Sequence, residues 1–115
     1  MAITETHSGN PTVTTSEYFC ASASTTATYQ TTDGVCQAFF DVSAMAAGDE
    51  YQFRAYEKVR SSSTARVVAE WVLSGAQAEP VFPTPSLILL HGWEFSIKKL
   101  AGTDRAIEFS IRSVA

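Results

Sequence analysis

The chain has 115 residues, of which 45% are hydrophobic and 17% are charged, and its formal net charge is −4. This length suits one domain, residues 1–115, and a charged share below the usual value of about 25% indicates that some low-charge surface faces a partner. The lack of a Lys/Arg cluster excludes nucleic-acid binding by phosphate neutralisation, and no apolar run is long enough to span a bilayer.

The first 32 residues are dominated by threonine, serine and alanine. Because threonine favours strands and helical periodicity is absent, they predict one or two strands joined by irregular segments, with a partly disordered segment as the alternative. The first ten, MAITETHSGN, are expected to form a flexible Ser/Thr-rich arm. They have neither a basic start nor an apolar run, so we expect no signal peptide, a cytoplasmic chain, and no bridge between Cys20 and Cys36.

Residues 35–42 predict a strand that follows the turn signal Asp33-Gly34. Alternate residues of this strand form one apolar face, but Phe39 lies on the opposite, polar face. An aromatic residue in that position indicates either a covering layer or a subunit contact. The next segment, SAMAAG at residues 43–48, has serine at an N-cap position and glycine at a C′ position, which predicts a single helical turn.

Residues 51–73 predict two alternating strands joined by a serine-rich hairpin loop. On the first strand Tyr51, Phe53 and Val59 would share one face, with Arg54 on the other. The prolines of the following segment, AEPVFPTPS, cannot occupy an interior strand, because each lacks a backbone donor for the ladder. That segment is therefore predicted to be an extended edge or a crossover between sheets.

Two further alternating segments, residues 93–98 and 107–112, flank the sequence AGTD and predict a second hairpin. The full set gives an all-β fold of about seven or eight strands, a two-layer antiparallel β-sandwich with either jelly-roll or immunoglobulin-like topology. The predicted core consists of the residues in the apolar phase of four strands: Phe53, Trp71, Phe95, Ile97, Ile107, Phe109 and Ile111.

The sequence shows no pattern typical of catalysis or of cofactor or metal binding. Serine, histidine and aspartate occur without a GxSxG elbow, and there is no phosphate-binding glycine loop. His7 and His91 lack a second ligand at a three- or four-residue spacing. Asp49-Glu50 could hold calcium, but the DxDxDG pattern is absent. We therefore predict a protein that is not an enzyme, with no catalytic residue, no cofactor and no metal.

Three runs of sequence resemble a group of small proteins encoded among the structural genes of tailed bacteriophages. The runs are DVSAMAAGDEYQFRAYEKV, VVAEWVLSGAQAEPVF and PSLILLHGWEFSIKKLAGTDRAIEFSIRSVA, and the resemblance covers about two-thirds of the chain. It is strongest in SGAQAEPVF and LAGTDRAIEFSIR. The resemblance implies a structural role in the virion, where capsid decoration or cement proteins are commonly small β-sandwiches or jelly rolls. It carries over no catalytic or ligand-binding residue.

The resemblance, the low charge and the lack of chemistry together predict a non-enzymatic capsid decoration, or cement, protein that binds and stabilises the shell of major capsid protein. We expect a homo-oligomer, a trimer, on the capsid surface of the virion, made in the cytoplasm of the host bacterium, with no nucleic-acid or membrane partner. One alternative is a neck or tail component. Another, from a different class, is a carbohydrate-binding or adhesin module, which would display two or three coplanar exposed rings instead of core-facing Trp71 and Trp93.

The candidate interface consists of apolar residues that occupy the wrong phase of a strand, a proline-rich edge or the N-terminal arm. A cement protein binds its neighbours through surface that a monomer would otherwise cover, and such positions are where that surface is expected. The candidates are Ile3, Phe39, Tyr56, Val72 and Phe82.

Overall fold

The computed structural model describes residues 2–114, and within that range the chain forms eleven β-strands and no helix. This confirms the all-β class, with more strands than expected. Met1 and Ala115, the ends of the predicted domain, lie outside the described residues. The strands are β1 (Ile3–Gly9), β2 (Thr12–Val13), β3 (Tyr18–Phe19), β4 (Gly34–Asp41), β5 (Glu50–Glu57), β6 (Arg66–Ser74), β7 (Val81–Pro83), β8 (Leu87–Leu89), β9 (Glu94–Ala101), β10 (Arg105–Ala106) and β11 (Glu108–Val114).

The strands form two facing antiparallel sheets and a small ribbon. Sheet 1 has the order β1-β11-β4-β7, with β8 also paired to β4, and sheet 2 has the order β3-β9-β5-β6. The ribbon is β2 paired with β10. Rings from the two sheets meet between them, since Phe40 of β4 lies 4.8 Å from Phe53 of β5, measured between ring centroids. The architecture is consistent with a β-sandwich that has one hydrophobic core between its layers.

The core follows the predicted phase of the strands closely. Six of the seven predicted core residues are buried, and the seventh, Trp71, is half-buried. Trp71 lies at the side of the sandwich, where its ring packs edge-on against Phe82 at 5.7 Å. The core also contains residues that the sequence-based prediction omitted, among them Trp93 and Val13. Both cysteine thiols are free and buried.

The central hairpin is confirmed, because β5 and β6 pair in one antiparallel register from Glu50 opposite Ser74 to Ala55 opposite Ala69. Val59 differs from the prediction, since it lies beyond β5 with 79% of its surface exposed. Both faces of β5 are covered, which alternation alone does not predict.

The predicted second hairpin is wrong. β9 pairs with β5 and β3 in sheet 2, whereas β11 pairs with β1 and β4 in sheet 1, so the two strands lie in opposite layers. Alternating apolar residues identify a strand with one buried face. The pattern is the same whether the next strand in the sequence lies beside it in one sheet or across the core in the other. Between the two strands the chain passes through β10, which pairs with β2.

The segment at residues 43–48 forms two turns instead of the predicted helical turn. The reason is Asp49, whose buried carboxylate accepts a hydrogen bond from the N–H of Ala46 at 2.9 Å and so offers the backbone a partner other than a helical carbonyl. The proline-rich segment is an edge, one of the two predicted forms: β7 and β8 have three residues each and lie end to end along β4, β7 opposite residues 39–41 and β8 opposite residues 34–36.

The expected flexible arm is also different in the structure, where residues 3–9 are β1, an edge strand paired with β11. The pairing is possible because β11 would otherwise be the edge of sheet 1, with a full row of unpaired backbone groups. Thr6 is left out of the register as a bulge. His7 then points inward, where its ring meets the edge of Trp93 at 6.0 Å.

Candidate interaction surface

The outward face of sheet 1 carries a row of apolar side chains that crosses four strands. Ile3 of β1 is opposite Val114 of β11, Val114 is opposite Val35 of β4, and Val35 is opposite Ile88 of β8. Directly opposed residues of antiparallel strands lie on the same face, so the register alone aligns all four. Ile3, Val35 and Ile88 are 70%, 39% and 85% exposed. We call these four residues the apolar row.

The apolar row is a structural departure from the usual pattern of a half-buried sheet. An outward face normally carries polar residues, and single exposed apolar residues are common, but aligned ones form a patch. Four strands at a spacing of about 4.8 Å make the row about 14 Å long. A groove of about 190 Å³ runs beside it, lined in part by Gln37 and Ser86. This is the shape expected of a contact surface.

Phe39 and Arg112 lie beside the apolar row on the same face. The Arg112 guanidinium lies over the Phe39 ring, 4.0 Å from its centroid, and its Nε donates a hydrogen bond to Ser110 Oγ at 3.2 Å. Phe39 is therefore half-covered by a charged group of its own chain, while Arg112 remains exposed. The pair can contact a partner with both an apolar ring and a cation.

The other end of this face is acidic. Asp41 of β4 lies opposite Glu108 of β11, and Glu5 accepts a hydrogen bond from the Ser110 hydroxyl. Hydrogen bonds from the hydroxyl and N–H of Ser43 lower the pKa of Asp41, which favours its charged form. A depression of about 540 Å³ lies among these groups. The face thus combines an apolar end with a negatively charged end, which suits a partner surface with apolar and basic groups.

Two of the sequence-based candidates pack within the chain: Tyr56 is buried and Phe82 is half-buried. Tyr56 is only 8% exposed, because Phe19 and Tyr29 pack over its ring and its hydroxyl donates a hydrogen bond to Glu17 at 2.5 Å. Phe82 points inward and packs against Phe40, at 6.2 Å between centroids. Tyr56 was predicted as an interface residue from the wrong phase of its strand and Phe82 from its place in the proline-rich edge, and neither signal reveals what packs against the ring.

The remaining candidates divide between two surfaces. Ile3 and Phe39 share the outward face of sheet 1, whereas Val72 is exposed on the outward face of sheet 2. The sequence analysis missed Val35, Ile88 and Val114 as interface residues. Val35 has the same strand phase as Phe39, so the sequence pattern could have identified it as an outward-facing apolar residue. Its alignment with Ile88 could not be found in this way, because it depends on pairing between distant strands.

The buried carboxylates serve the structure. Glu94 is fully buried and its oxygens accept hydrogen bonds from the N–H groups of Ala21, Ser22 and Phe95 at 2.7 to 2.9 Å and from the Ser22 hydroxyl. Burial raises the pKa of Glu94 in spite of these bonds. The network holds Ala21 and Ser22 against β9, between Phe19 and Tyr29, the rings that cover the Tyr56 end of β5 on the outward face of sheet 2.

Asp49 is satisfied by protein donors in the same way. It accepts hydrogen bonds from the N–H groups of Ala46 and Thr103 and from Arg105 Nε at 2.8 Å. Within residues 2–114 no group of three or more His, Cys, Asp or Glu side chains is placed to hold a metal ion. Over the same residues the structure contains no helix that could cross a membrane.

The two tryptophans face the core. Trp93 is 2% exposed and its indole N–H donates a hydrogen bond to the Thr32 carbonyl at 2.7 Å, while Trp71 packs against Phe82. The large apolar side chains that are well exposed in the described residues are valine, isoleucine and leucine, with no aromatic ring among them. Comparison with known proteins finds no matching family model, no matching curated protein and no matching solved structure.

Proposed function

We propose that this chain is a non-enzymatic structural protein of a tailed-bacteriophage particle that decorates the capsid and stabilises it by binding the major capsid protein. The observation that carries the proposal is the apolar row, an aligned and exposed hydrophobic surface on an otherwise well-packed sandwich. The resemblance of the sequence to small virion proteins supports the same assignment.

Binding through this surface follows from ordinary burial energetics. Covering an exposed isoleucine side chain contributes roughly 1.5–3 kcal/mol, so Ile3 and Ile88 are the anchors of the row. The acidic end at Asp41 and Glu108 adds orientation, because a basic partner group is attracted there and an acidic one is repelled. One such patch is small, so firm attachment to a shell also depends on several copies acting together.

The test is co-sedimentation of the purified protein with shells assembled from the major capsid protein of the same phage. Ile3→Ser combined with Ile88→Ser should reduce occupancy roughly tenfold or more, because two anchors are lost. Val59→Ser is the control, since Val59 is also well exposed but lies in the loop after β5 and is not a member of the apolar row. Equal occupancy for the double variant and the control, with both folded, would contradict the proposal.

The alternatives give different outcomes in particle fractionation. A neck or tail component would be recovered with those structures and would not bind shells that lack them. A carbohydrate-binding module requires coplanar exposed rings, and the buried Trp93 gives no such platform.

A further inference from the structure

The free edge of β6 has the longest regular stretch of unpaired backbone among the sheet edges of the described chain, residues 69–74. β1 is interrupted by the bulge at Thr6, β7 and β8 have three residues each in a proline-rich segment, and β3 has two residues. β6 has nine residues, RVVAEWVLS, without proline or glycine, and its neighbour in sheet 2 is β5 alone. It is bulged at Val68, and the six residues that follow, 69–74, pair with β5 in one register. Edges of this kind pair readily with another strand.

The backbone groups open for pairing can be identified from the ladder. Gly75 donates its N–H to the Asp49 carbonyl at 2.8 Å, and hydrogen-bonded pairs alternate along an antiparallel ladder. The backbones of Leu73 and Trp71 therefore bond to β5, and those of Val72 and Glu70 point to the free edge. Ser74 points the same way, and its carbonyl already accepts a hydrogen bond from the Gln77 side chain at 3.0 Å. Between Ala69 and Ser74, Glu70 and Val72 are therefore the residues whose N–H and C=O groups are both open on this edge.

The backbones of these two residues can pair with each other in a second copy of the same strand, and the Glu70 carboxylate is balanced by Arg54 of its own chain at 2.8 Å. In an antiparallel pair of β6 strands centred on Trp71, Glu70 lies opposite Val72 of the second copy and Val72 lies opposite its Glu70. All the open N–H and C=O groups of the pair are then bonded. A register centred on Glu70 would oppose two carboxylates, and one centred on Val72 would make the Ser74 carbonyl accept a second hydrogen bond beside the one from Gln77.

Side chains on the inward face fit the same register. Leu73 lies opposite Ala69 of the second copy, a large residue against a small one, and the two Trp71 rings meet at the axis. Trp71, Leu73 and Ala69 are all half-buried at the side of the core, so this face is apolar but incompletely covered within one copy.

We infer that two copies of this chain join through β6 around a two-fold axis, in the register centred on Trp71, to form one continuous eight-stranded sheet from two copies of sheet 2. The inference specifies how the chain self-associates and does not rest on shell binding. It replaces the trimer expected from the sequence with a two-fold pair.

The first test measures the mass of the free protein by sedimentation equilibrium, with two charged variants of Val72. The wild type should have twice the chain mass. Val72→Glu adds a carboxylate opposite Glu70 at both symmetric positions and should weaken association roughly tenfold. Val72→Lys places an ammonium opposite Glu70 and should retain or strengthen it. Val59→Glu is the control for added charge, because Val59 lies outside the strand.

Several outcomes would overturn the inference. A monomeric or trimeric wild-type protein would overturn it. This includes a monomer whose β6 edge pairs with a strand of another protein. Equal weakening by Val72→Glu and Val72→Lys would reject the register. Circular dichroism of each variant checks that the fold is intact, and none of these measurements involves a capsid, so failure here is separate from failure of the proposed function.

A cross-linking test examines the register directly. Hydrogen-bonded opposite residues have Cα atoms about 5.5 Å apart, within the range that a disulfide spans. Glu70→Cys and Val72→Cys proteins should therefore form a covalent dimer when mixed and oxidised. Each variant alone should not, because residue 70 is diagonal to its own counterpart, about 7–8 Å away. Cross-linking of the Glu70→Cys protein alone, at the level of the mixture, would contradict the register.

Discussion

Asp49 and Glu94 are both buried carboxylates, yet their surroundings move their pKa values in opposite directions. Asp49 accepts hydrogen bonds from two backbone N–H groups and from Arg105, and these lower its pKa from 3.8 to about 2. Glu94 accepts four hydrogen bonds but has no cation beside it, and burial raises its pKa. Asp49 therefore favours the charged form, and Glu94 favours the neutral one more than an exposed glutamate does.

The shift at Asp49 predicts a dependence of stability on acid. Its pKa is lower in the folded than in the unfolded chain, so its contribution is present above the unfolded value near 3.8 and is lost as pH falls towards about 2. We expect the thermal midpoint to decrease across this window and Asp49→Asn to lower it at neutral pH and flatten the decrease. Calorimetry between pH 2 and 7 checks this, with the exposed Asp33→Asn as control. A wild-type midpoint that is constant from pH 4 to 2 would contradict the assignment.

At the scale of elements, the loop between β9 and β10 is fixed by a close approach of backbones. Gly102 has a φ of 91°, and a Cβ there would lie 2.2 Å from Asp49 Oδ1 and 2.8 Å from the Gly48 carbonyl oxygen. Only glycine fits such a position. The contact brings the Asp49 turn against the loop that carries the chain from sheet 2 to sheet 1, and so supports the crossover.

Gly75 allows the effect of backbone strain to be measured apart from the effect of a steric clash. Its φ is 74°, also in the left-handed region, but a Cβ there would meet nothing within 4 Å. Gly75→Ala should therefore lower the free energy of unfolding by only the backbone strain, about 1–2 kcal/mol. Gly102→Ala should lower it by clearly more, because Asp49 must also move. Urea unfolding at one protein concentration compares the two, and equal losses would show that the loop moves freely.

The elements themselves could largely be predicted from the sequence, but their partners could not. The alternation in residues 51–73 gave the correct hairpin, whose two strands pair directly across the loop at residues 58–65. The same kind of alternation around Phe95 and Phe109 gave a wrong hairpin, since the two strands lie in different sheets although only residues 102–107 separate them. Tyr56 was misplaced for a related reason, because the segment that covers it is distant in sequence. Which strands pair and which segment covers a side chain depend on residues distant in sequence, whereas the alternation of apolar residues is a property of one short segment.

The apolar row shows the same limit on the candidate site. Phe39 and Ile3 were identified one at a time, as apolar residues in polar surroundings. Their significance depends on Val35, Val114 and Ile88, which the register brings into one line. A surface patch is a property of several strands together, so one strand's pattern can suggest a member of it but not its extent.

At the scale of the whole molecule, the apolar row and the β6 edge are separate surfaces that can act together. The two-fold axis through Trp71 is perpendicular to sheet 2, so it leaves both copies of sheet 1 on the same side of the joined sheet. A pair of copies therefore presents two apolar rows in one direction. Such a pair can attach to a shell at two points, and linked attachment strengthens binding by roughly 10²–10⁴ without any new contact.

This arrangement predicts that Val72→Glu weakens shell binding although Val72 is on the outward face of sheet 2, away from the row. Its effect should be more than tenfold when shells are titrated with the protein, because single-point attachment replaces double attachment. In the monomeric Val72→Glu protein, adding Ile88→Ser removes one isoleucine contact with the shell. In the paired protein the same substitution removes two such contacts, one from each row, so Ile88→Ser should weaken shell binding more there. Unchanged shell affinity for a monomeric Val72→Glu protein would show that each copy attaches alone, and the two surfaces would then be independent.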